Sequence, residues 1–198
     1  MAQKTETEEI AIEVAKLFPV QGKWTEEDYF NLPDTNHLAE LSEGRLVFLD
    51  MPTDEHQKAV GELFLIMGLF VREHNLGEIR VAPMPVKLKE GQIREPDIVF
   101  MRNTHRNRIS RKTWGVPDLA VEVISRSTEK VDRELKFAEY AEAGITEYWL
   151  VDTAKKTIEV FTLDQGSYKL LSKWGTGEAV QSKVLAGFQV AVDSLMTN

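Results

Sequence analysis

Two periodicities of apolar positions alternate along the chain, one near 3.6 residues and one of two residues. The first predicts helices. The second, in short runs bounded by turn residues, predicts strands. The predicted helices are 8–18, a short helix capped at Thr25, a long helix capped by Asp54 that ends before Gly77, and a helix from a Ser127 or Thr128 cap to Gly144. The predicted strands are a pair around the Glu43-Gly44 turn, Glu78–Ala82, Pro85–Lys89, Ile98–Met101, Leu119–Ile124 and a meander over 147–171. This order of elements predicts one domain of the α/β or α+β class with a mixed sheet.

One predicted strand contains a charged residue. The segment VPDLAVEVISRST has the β-branched apolar run of an interior strand covered on both faces, and Glu122 lies in its middle. An ionised carboxylate in such a strand is costly unless a positive partner compensates for it. The sequence therefore predicts that Glu122 faces a cation.

Two further polar residues suggest what that cation is. Asp97 directly precedes the strand before Glu122, and Lys136 lies on the helix after it, four residues from both Asp132 and Tyr140. Two carboxylates that converge in a half-buried site repel each other unless a divalent cation joins them, and hard oxygen ligands suit Mg²⁺ or Mn²⁺. A nearby ammonium can orient an attacking water or stabilise charge on a phosphate.

Each of these residues also has a structural alternative. Asp97 follows a proline and would serve as a turn or strand-edge residue. Lys136 and Asp132 would form an exposed helical pair worth a few tenths of a kcal/mol. His56, near the start of the long helix, would cap or pack, since a lone histidine is weak evidence for a site.

Composition narrows the class of protein. The formal net charge of −8 argues against bulk electrostatic binding of nucleic acid, and the absence of cysteine excludes disulfides, thiolate metal sites and cysteine nucleophiles. No signal-peptide pattern is visible, and the longest apolar stretch is too short to span a membrane. We expect a cytoplasmic protein that does not contact membranes.

The segment RNTHRNRISRK, residues 102–112, has five basic residues and no acidic one. This segment lies between the strands that carry Asp97 and Glu122. We therefore expect it to start and end near the site, to form one wall of a DNA cleft and to contact backbone phosphates. A solvated surface loop is the alternative. Its basic residues are Arg102, Arg106, Arg108, Arg111 and Lys112.

From Leu41 to about Leu195 the chain resembles the Uma2 family (DUF820) of endonucleases. The features that carry the resemblance are SEGRLV, DEHQ, REPDIVF, PDLAVEVISRST, the Asp132…Lys136…Tyr140 spacing, AEAGITEYWLVD and VLAGFQV, in order and at compatible spacings. The family belongs to the PD-(D/E)XK superfamily. The resemblance implies a restriction endonuclease-like core, in which helices flank a central mixed sheet and a β-meander is added, over about 38–195, with 1–36 as a helical extension.

The resemblance also implies roles for individual residues. The proline-aspartate of the superfamily corresponds to Pro96-Asp97, and its metal-binding glutamate corresponds to Glu122. Its lysine normally follows two residues later, where this chain has Ile124. Lys136, on the next helix, is the candidate for a migrated lysine. Glu43 matches a further family acid that would complete the metal site or position a water, and a plain turn role is equally open.

The leading interpretation is a Mg²⁺-dependent endonuclease that cleaves DNA. Asp97 and Glu122 would hold the metal, and Lys136 would act on the water or on the developing charge. A homodimer would suit an enzyme that cuts both strands. Two alternatives stay open. The first is a nuclease-like nucleic-acid-binding or regulatory module with weak catalysis, which Ile124 and the acidic net charge favour. The second is a metal-dependent hydrolase of a small phosphorylated molecule.

Overall fold

A computed structural model describes residues 18–33, 38–125 and 127–196. The helix predicted over 8–18 lies outside these residues, apart from Phe18. The helices are α1 (Glu26–Phe30), α2 (Asp54–Glu73), α3 (Phe137–Ala143) and α4 (Val192–Leu195), with a 3₁₀ helix at Asn103–Arg108 and a π-helix at Val131–Lys136. Within these ranges, no helix combines the length and apolarity that crossing a membrane requires.

Twelve strands are present in the described ranges. They are β1 (Ala39–Ser42), β2 (Arg45–Phe48), β3 (Gly77–Val81), β4 (Val86–Lys89), β5 (Gln92–Arg94), β6 (Ile98–Arg102), β7 (Leu119–Ile124), β8 (Glu147–Asp152), β9 (Thr157–Asp164), β10 (Ser167–Trp174), β11 (Ala179–Gln181) and β12 (Gln189–Ala191).

Six of these strands form the central sheet, in the order β10-β9-β8-β7-β6-β3. β7 and β8 run parallel, whereas the other neighbouring strands are antiparallel. The sheet is therefore mixed, which confirms the predicted fold class, and β8, β9 and β10 form the predicted meander. Every residue of β7 is buried, as its apolar run predicts for an interior strand.

The two faces of the central sheet pack against different helices. Successive side chains of a strand point to opposite faces. Val121 and Val123 of β7 pack in the core that α2 covers, whereas Ala120 and Ile124 pack in the core that contains Tyr140 of α3. Because Glu122 lies between Ala120 and Ile124 in this alternation, it points to the α3 face.

A second, antiparallel sheet has the order β2-β1-β5-β4. β1 and β2 are joined by the Glu43-Gly44 turn, whose positive φ angles of 49° and 71° are typical of a type I′ hairpin. The sequence predicts this hairpin but not its pairing with β5 into a separate sheet. That pairing places Glu40 of β1 and Arg94 of β5 next to each other.

The start of α2 determines where His56 lies. Thr53 is the N-cap, because its backbone is extended and its hydroxyl accepts a hydrogen bond from the backbone N–H of His56 at 3.3 Å. The predicted cap, Asp54, is instead the first helical residue. One turn beyond His56, Val60 is buried in the core and holds the helix against the sheet.

Glu147, at the start of β8, joins the C-terminal segment to the central sheet. Its carboxylate accepts hydrogen bonds from Trp149 Nε1 at 2.7 Å, from the Ser182 hydroxyl at 2.6 Å, and from the backbone N–H groups of Lys183 and Val184 at 2.7 and 3.0 Å. All of these donors converge on one buried side chain. Glu147 therefore has a structural role.

The substitution Glu147→Ala is expected to lower the free energy of unfolding by about 3 kcal/mol or more, because each buried donor left unpaired costs about 1–3 kcal/mol. Denaturant unfolding measures the loss. Glu62→Ala, on the exposed face of α2, is the control and should change stability by less than about 0.5 kcal/mol. Equal stability of the two variants would contradict the role of Glu147.

Candidate active site

The central sheet brings Asp97 and Glu122 together. Ile98 pairs with Val121 across the antiparallel β6 and β7, so Asp97, directly before β6, lies next to Glu122. Both residues line a cavity of about 890 Å³. Asp97 Oδ2 accepts a hydrogen bond from the backbone N–H of Val123 at 2.7 Å, which fixes its orientation.

His56 contacts the same carboxylate from α2. Its Nε2 lies 3.3 Å from Asp97 Oδ2, and its Nδ1 is buried without a hydrogen-bond partner in the described part of the chain. Burial acts to lower the pKa of His56, but the contact with Asp97 raises it above its ordinary value. The position of His56 in the sequence suggests a capping or packing role. In the structure His56 does more than pack, because it orients Asp97 and lines the cavity.

Lys136 lies at the centre of a carboxylate cluster. Its Nζ is 3.0 Å from Glu122 Oε1, 3.2 Å from Glu40 Oε1 and 3.4 Å from Asp132 Oδ1. The residue is only 3% exposed, so the alternative of an exposed pair between Lys136 and Asp132 is wrong. Both residues belong to the π-helix, a distortion of helical geometry that is frequent at functional sites.

Within the described part of the chain, each of the two candidate ligand carboxylates has one oxygen that makes no hydrogen bond or ion pair. Glu122 Oε1 accepts hydrogen bonds from Lys136 Nζ and, at 2.6 Å, from the Tyr140 hydroxyl. Asp97 Oδ2 is occupied by Val123 and His56. No other described residue donates to Glu122 Oε2 or to Asp97 Oδ1. These two oxygens are therefore available to a ligand in the cavity.

The cluster has an excess of negative charge. Burial raises the pKa of Glu122 well above its ordinary value, and the neighbouring carboxylates raise it further against the effect of Lys136. Burial likewise raises the pKa of Asp132. Burial acts to lower the pKa of Lys136, but Glu122, Glu40 and Asp132 raise it well above its ordinary value. A cation in the cavity would relieve this excess.

These residues fit a magnesium-type ion that keeps part of its water shell. Glu95 Oε2 and His56 Nδ1 are buried without a hydrogen-bond partner among the described residues, and the buried Asp132 Oδ1 has an ion pair with Lys136 at 3.4 Å but no hydrogen bond. All three residues line the cavity. No described group of three or more histidine, aspartate or glutamate side chains forms a complete metal cage. Mg²⁺ is commonly held by one or two carboxylates together with waters and substrate phosphates.

Glu43 does not belong to this arrangement. It lies in the exposed turn between β1 and β2 and does not line the cavity, so the structure contradicts its expected place in the metal site. Glu40, three residues earlier, is the acid from this hairpin that reaches Lys136. The reason is that β1 packs against β5 beside the cluster, whereas the turn at its end projects into solvent.

The basic segment also lies elsewhere than expected. It follows the end of β6, whereas Asp97 precedes the start of that strand. A strand rises about 3.3 Å per residue, so β6 separates Asp97 from the segment by about 16 Å. None of the five basic residues lines the cavity. The expectation that the segment starts and ends near the site and forms a wall of its cleft is wrong. The segment joins the end of β6 to the start of β7, and these strand ends lie opposite to Asp97.

Several of the basic residues contact the protein itself. Arg106 Nη2 lies 3.1 Å from Glu78 Oε1, and Arg108 Nη1 donates to the carbonyl of Val116 at 3.0 Å. The backbone N–H of Arg102 donates to Asp118. Arg111 and Lys112 are exposed. Contact of this segment with DNA phosphates stays a prediction.

Sequence reasoning missed Glu40, Arg94 and Glu95. Their local pattern is that of ordinary strand and turn residues, and nothing in it marks burial. Their partners are distant in sequence, as in the hydrogen bond from the Tyr29 hydroxyl to Glu95 Oε1 at 2.7 Å. The local signal in the sequence is that Arg94 and Glu95 belong to the REPDIVF segment, directly before Asp97.

Comparisons with known proteins agree with the fold. The model of the Uma2 family, described as "putative restriction endonuclease", matches residues 26–193. The crystal structure of "a putative nuclease belonging to DUF820 from Anabaena variabilis ATCC 29413" is similar, with a TM-score of 0.71 and 17% sequence identity over 89% of this chain and 97% of that one. At this identity the likeness shows the fold alone. No curated protein matches the chain.

Proposed function

This chain belongs to the Uma2 family, and we propose that it is an endonuclease that hydrolyses phosphodiester bonds of DNA with Mg²⁺ or Mn²⁺. One observation carries the proposal. Two carboxylates on neighbouring strands each present an uncommitted oxygen to one cavity, beside a buried lysine. The migrated position of that lysine is part of the proposal, since Ile124 occupies the usual place.

Each residue of the site has a separate role in this proposal. Asp97 and Glu122 would hold the cation, and a bound divalent cation lowers the pKa of its water and polarises a phosphoryl oxygen. Lys136, held as an ammonium among carboxylates, would donate a hydrogen bond to the attacking water or to a phosphate oxygen as negative charge develops. Tyr140 and His56 keep the two carboxylates in orientation.

A specific observation favours one alternative, a hydrolase of a small phosphorylated molecule. The cavity walls include Leu49, Met51, Pro52, Val81 and Pro83, and its acids outnumber its bases. Among the described lining residues the basic side chains are those of His56 and Lys136. Such walls suit a small ligand better than a duplex, which normally meets several basic side chains.

A cleavage panel tests the proposal. Single-stranded, duplex and nicked DNA and a small aryl phosphodiester are incubated with Mg²⁺, with Mn²⁺ or with EDTA. We expect metal-dependent cleavage within DNA strands. Hydrolysis of the small diester without DNA cleavage would favour the small-molecule hydrolase. DNA binding without cleavage of any substrate would favour the binding module.

Neutralising Arg106, Arg108 and Arg111 together is expected to weaken DNA binding across sequences without changing turnover at saturating DNA, because the segment lies about 16 Å from the carboxylates along β6. Each lost phosphate contact should flatten the slope of log affinity against log salt by about 0.9 for duplex DNA. Binding is measured from 50 to 200 mM salt.

The matched control neutralises three other exposed cations, Lys89, Lys169 and Lys173. This variant should bind DNA like the wild type. If the arginine variant also keeps wild-type affinity and salt slope, the segment serves solubility or contact with a partner subunit.

A further inference from the structure

The three carboxylates around Lys136 are not equivalent. Glu122 and Asp132 line the cavity, whereas Glu40 does not. Glu40 comes from β1 of the second sheet, is 1% exposed, and contacts Lys136 without being part of the cavity wall. A cation bound at Glu122 would therefore repel Lys136 towards Glu40.

Glu40 is itself held in place through both oxygens. Oε2 accepts a hydrogen bond from Arg94 Nη1 at 2.7 Å, and Oε1 accepts one from the backbone N–H of Glu95 at 3.2 Å. Burial acts to raise the pKa of Glu40, but Lys136 and Arg94 lower it below its ordinary value. Glu40 therefore presents a fixed negative charge to the ammonium.

Arg94 is fixed in turn by α3. Its Nε and Nη2 donate to the two carboxylate oxygens of Glu139, each at 2.7 Å, and Nη2 also reaches the Ser42 hydroxyl at 3.3 Å. Buried ionic arrays of this kind add little net stability over apolar packing, because desolvation offsets their attraction. A role in placing Lys136 would explain these buried ion pairs, whereas stability alone does not.

We propose that Glu40 is a positioning residue, which retains Lys136 beside the reacting phosphate when a divalent cation occupies Asp97 and Glu122. The proposal rests on the proposed function. Without the charge of Glu40, Lys136 depends on Glu122 and Asp132, both of which line the cavity. The lysine then competes with the cation for Glu122 and leaves its place beside the phosphate.

The test compares Glu40→Gln with Glu139→Gln. Both glutamates pair with Arg94, but only Glu40 contacts Lys136. We expect Glu40→Gln to lower kcat by about 10–100-fold, the usual effect of a partner outside the ligand set. KM for DNA should stay unchanged and the affinity for Mn²⁺ should fall. Glu139→Gln should change kcat and Mn²⁺ affinity by less than about twofold, and Glu40→Asp should recover part of the lost kcat.

A double-mutant cycle separates positioning from a general effect of charge. In a Lys136→Met background, Glu40→Gln should change Mn²⁺ affinity by a much smaller factor than in the wild type. Equal factors in the two backgrounds, a wild-type kcat for Glu40→Gln, or the same loss in Glu139→Gln would each overturn the proposal. If Glu40→Gln does not fold, Arg94→Lys replaces it as the test, because it loosens Glu40 and keeps the positive charge. This variant should show smaller losses of kcat and of Mn²⁺ affinity.

Failure of the proposed function would look different. If the wild-type protein cleaves no DNA, the endonuclease assignment fails. The Mn²⁺ titrations of the four proteins in the cycle still decide whether Glu40 acts through Lys136.

Discussion

Lys136→Ala is expected to abolish cleavage and to lower the free energy of unfolding by about 3–5 kcal/mol, the usual cost of removing one partner of a buried ion pair. From the sequence alone, this substitution is expected to remove a catalytic group and no core volume, and so to spare folding. The structure reverses that expectation, because Glu40, Glu122 and Asp132 would be left buried around an empty position. The loss of cleavage follows from the loss of the ammonium beside the phosphate.

Denaturant unfolding in EDTA and in Mn²⁺ measures this effect. The three carboxylates left behind should bind Mn²⁺ more tightly than the wild-type site does, so the cation should restore part of the lost stability. Lys155→Ala is the matched control. Lys155 also contacts two carboxylates, those of Glu129 and Asp152, but it is 54% exposed, so the loss should stay within about 1 kcal/mol. Equal losses in the two variants, or full activity of Lys136→Ala, would contradict the site.

Glu122→Gln is expected to lower cleavage by at least about 10²–10³-fold without loss of stability. The activity falls because an electrostatic contribution of about 2.7–4 kcal/mol to the transition state is removed together with a ligand oxygen of the cation. Stability is kept because glutamine still accepts the hydrogen bonds of Tyr140 and Lys136. Burial raises the pKa of Glu122 because it disfavours the charged carboxylate, and a neutral glutamine does not carry that desolvation cost.

Metal-dependent cleavage, Mn²⁺ titration and thermal unfolding are measured on the same preparation. Glu142→Gln, on the exposed part of α3 beyond the cluster, is the control and should leave all three unchanged. Cleavage and Mn²⁺ affinity of Glu122→Gln that match the wild type would refute the metal site. A large fall in stability would instead assign Glu122 to folding alone.

The pattern of apolar positions was sufficient to predict elements of the central sheet and the helix that covers it. β7, the long helix α2 and the β8–β10 meander follow from local periodicity, because burial of one face imposes the same period on the sequence. The positive φ of Gly144 at the end of α3 follows from local chemistry, because helices commonly end at a glycine in the left-handed conformation. The charged residue inside β7 marked the region of the site, since a carboxylate in an apolar strand requires a partner.

Tertiary structure alone decided which residues surround Glu122. Glu40 and Arg94 lie 54 residues apart and meet only because β1 pairs with β5, and no local period records that pairing. The same holds for Glu43, which the family resemblance placed at the site, and for the basic segment, which its position between β6 and β7 placed there. A turn projects from the end of its strands, and a loop between antiparallel strands joins the ends opposite to Asp97. Sequence order determines which strands carry the chemistry, whereas strand direction and pairing determine which side chains reach it.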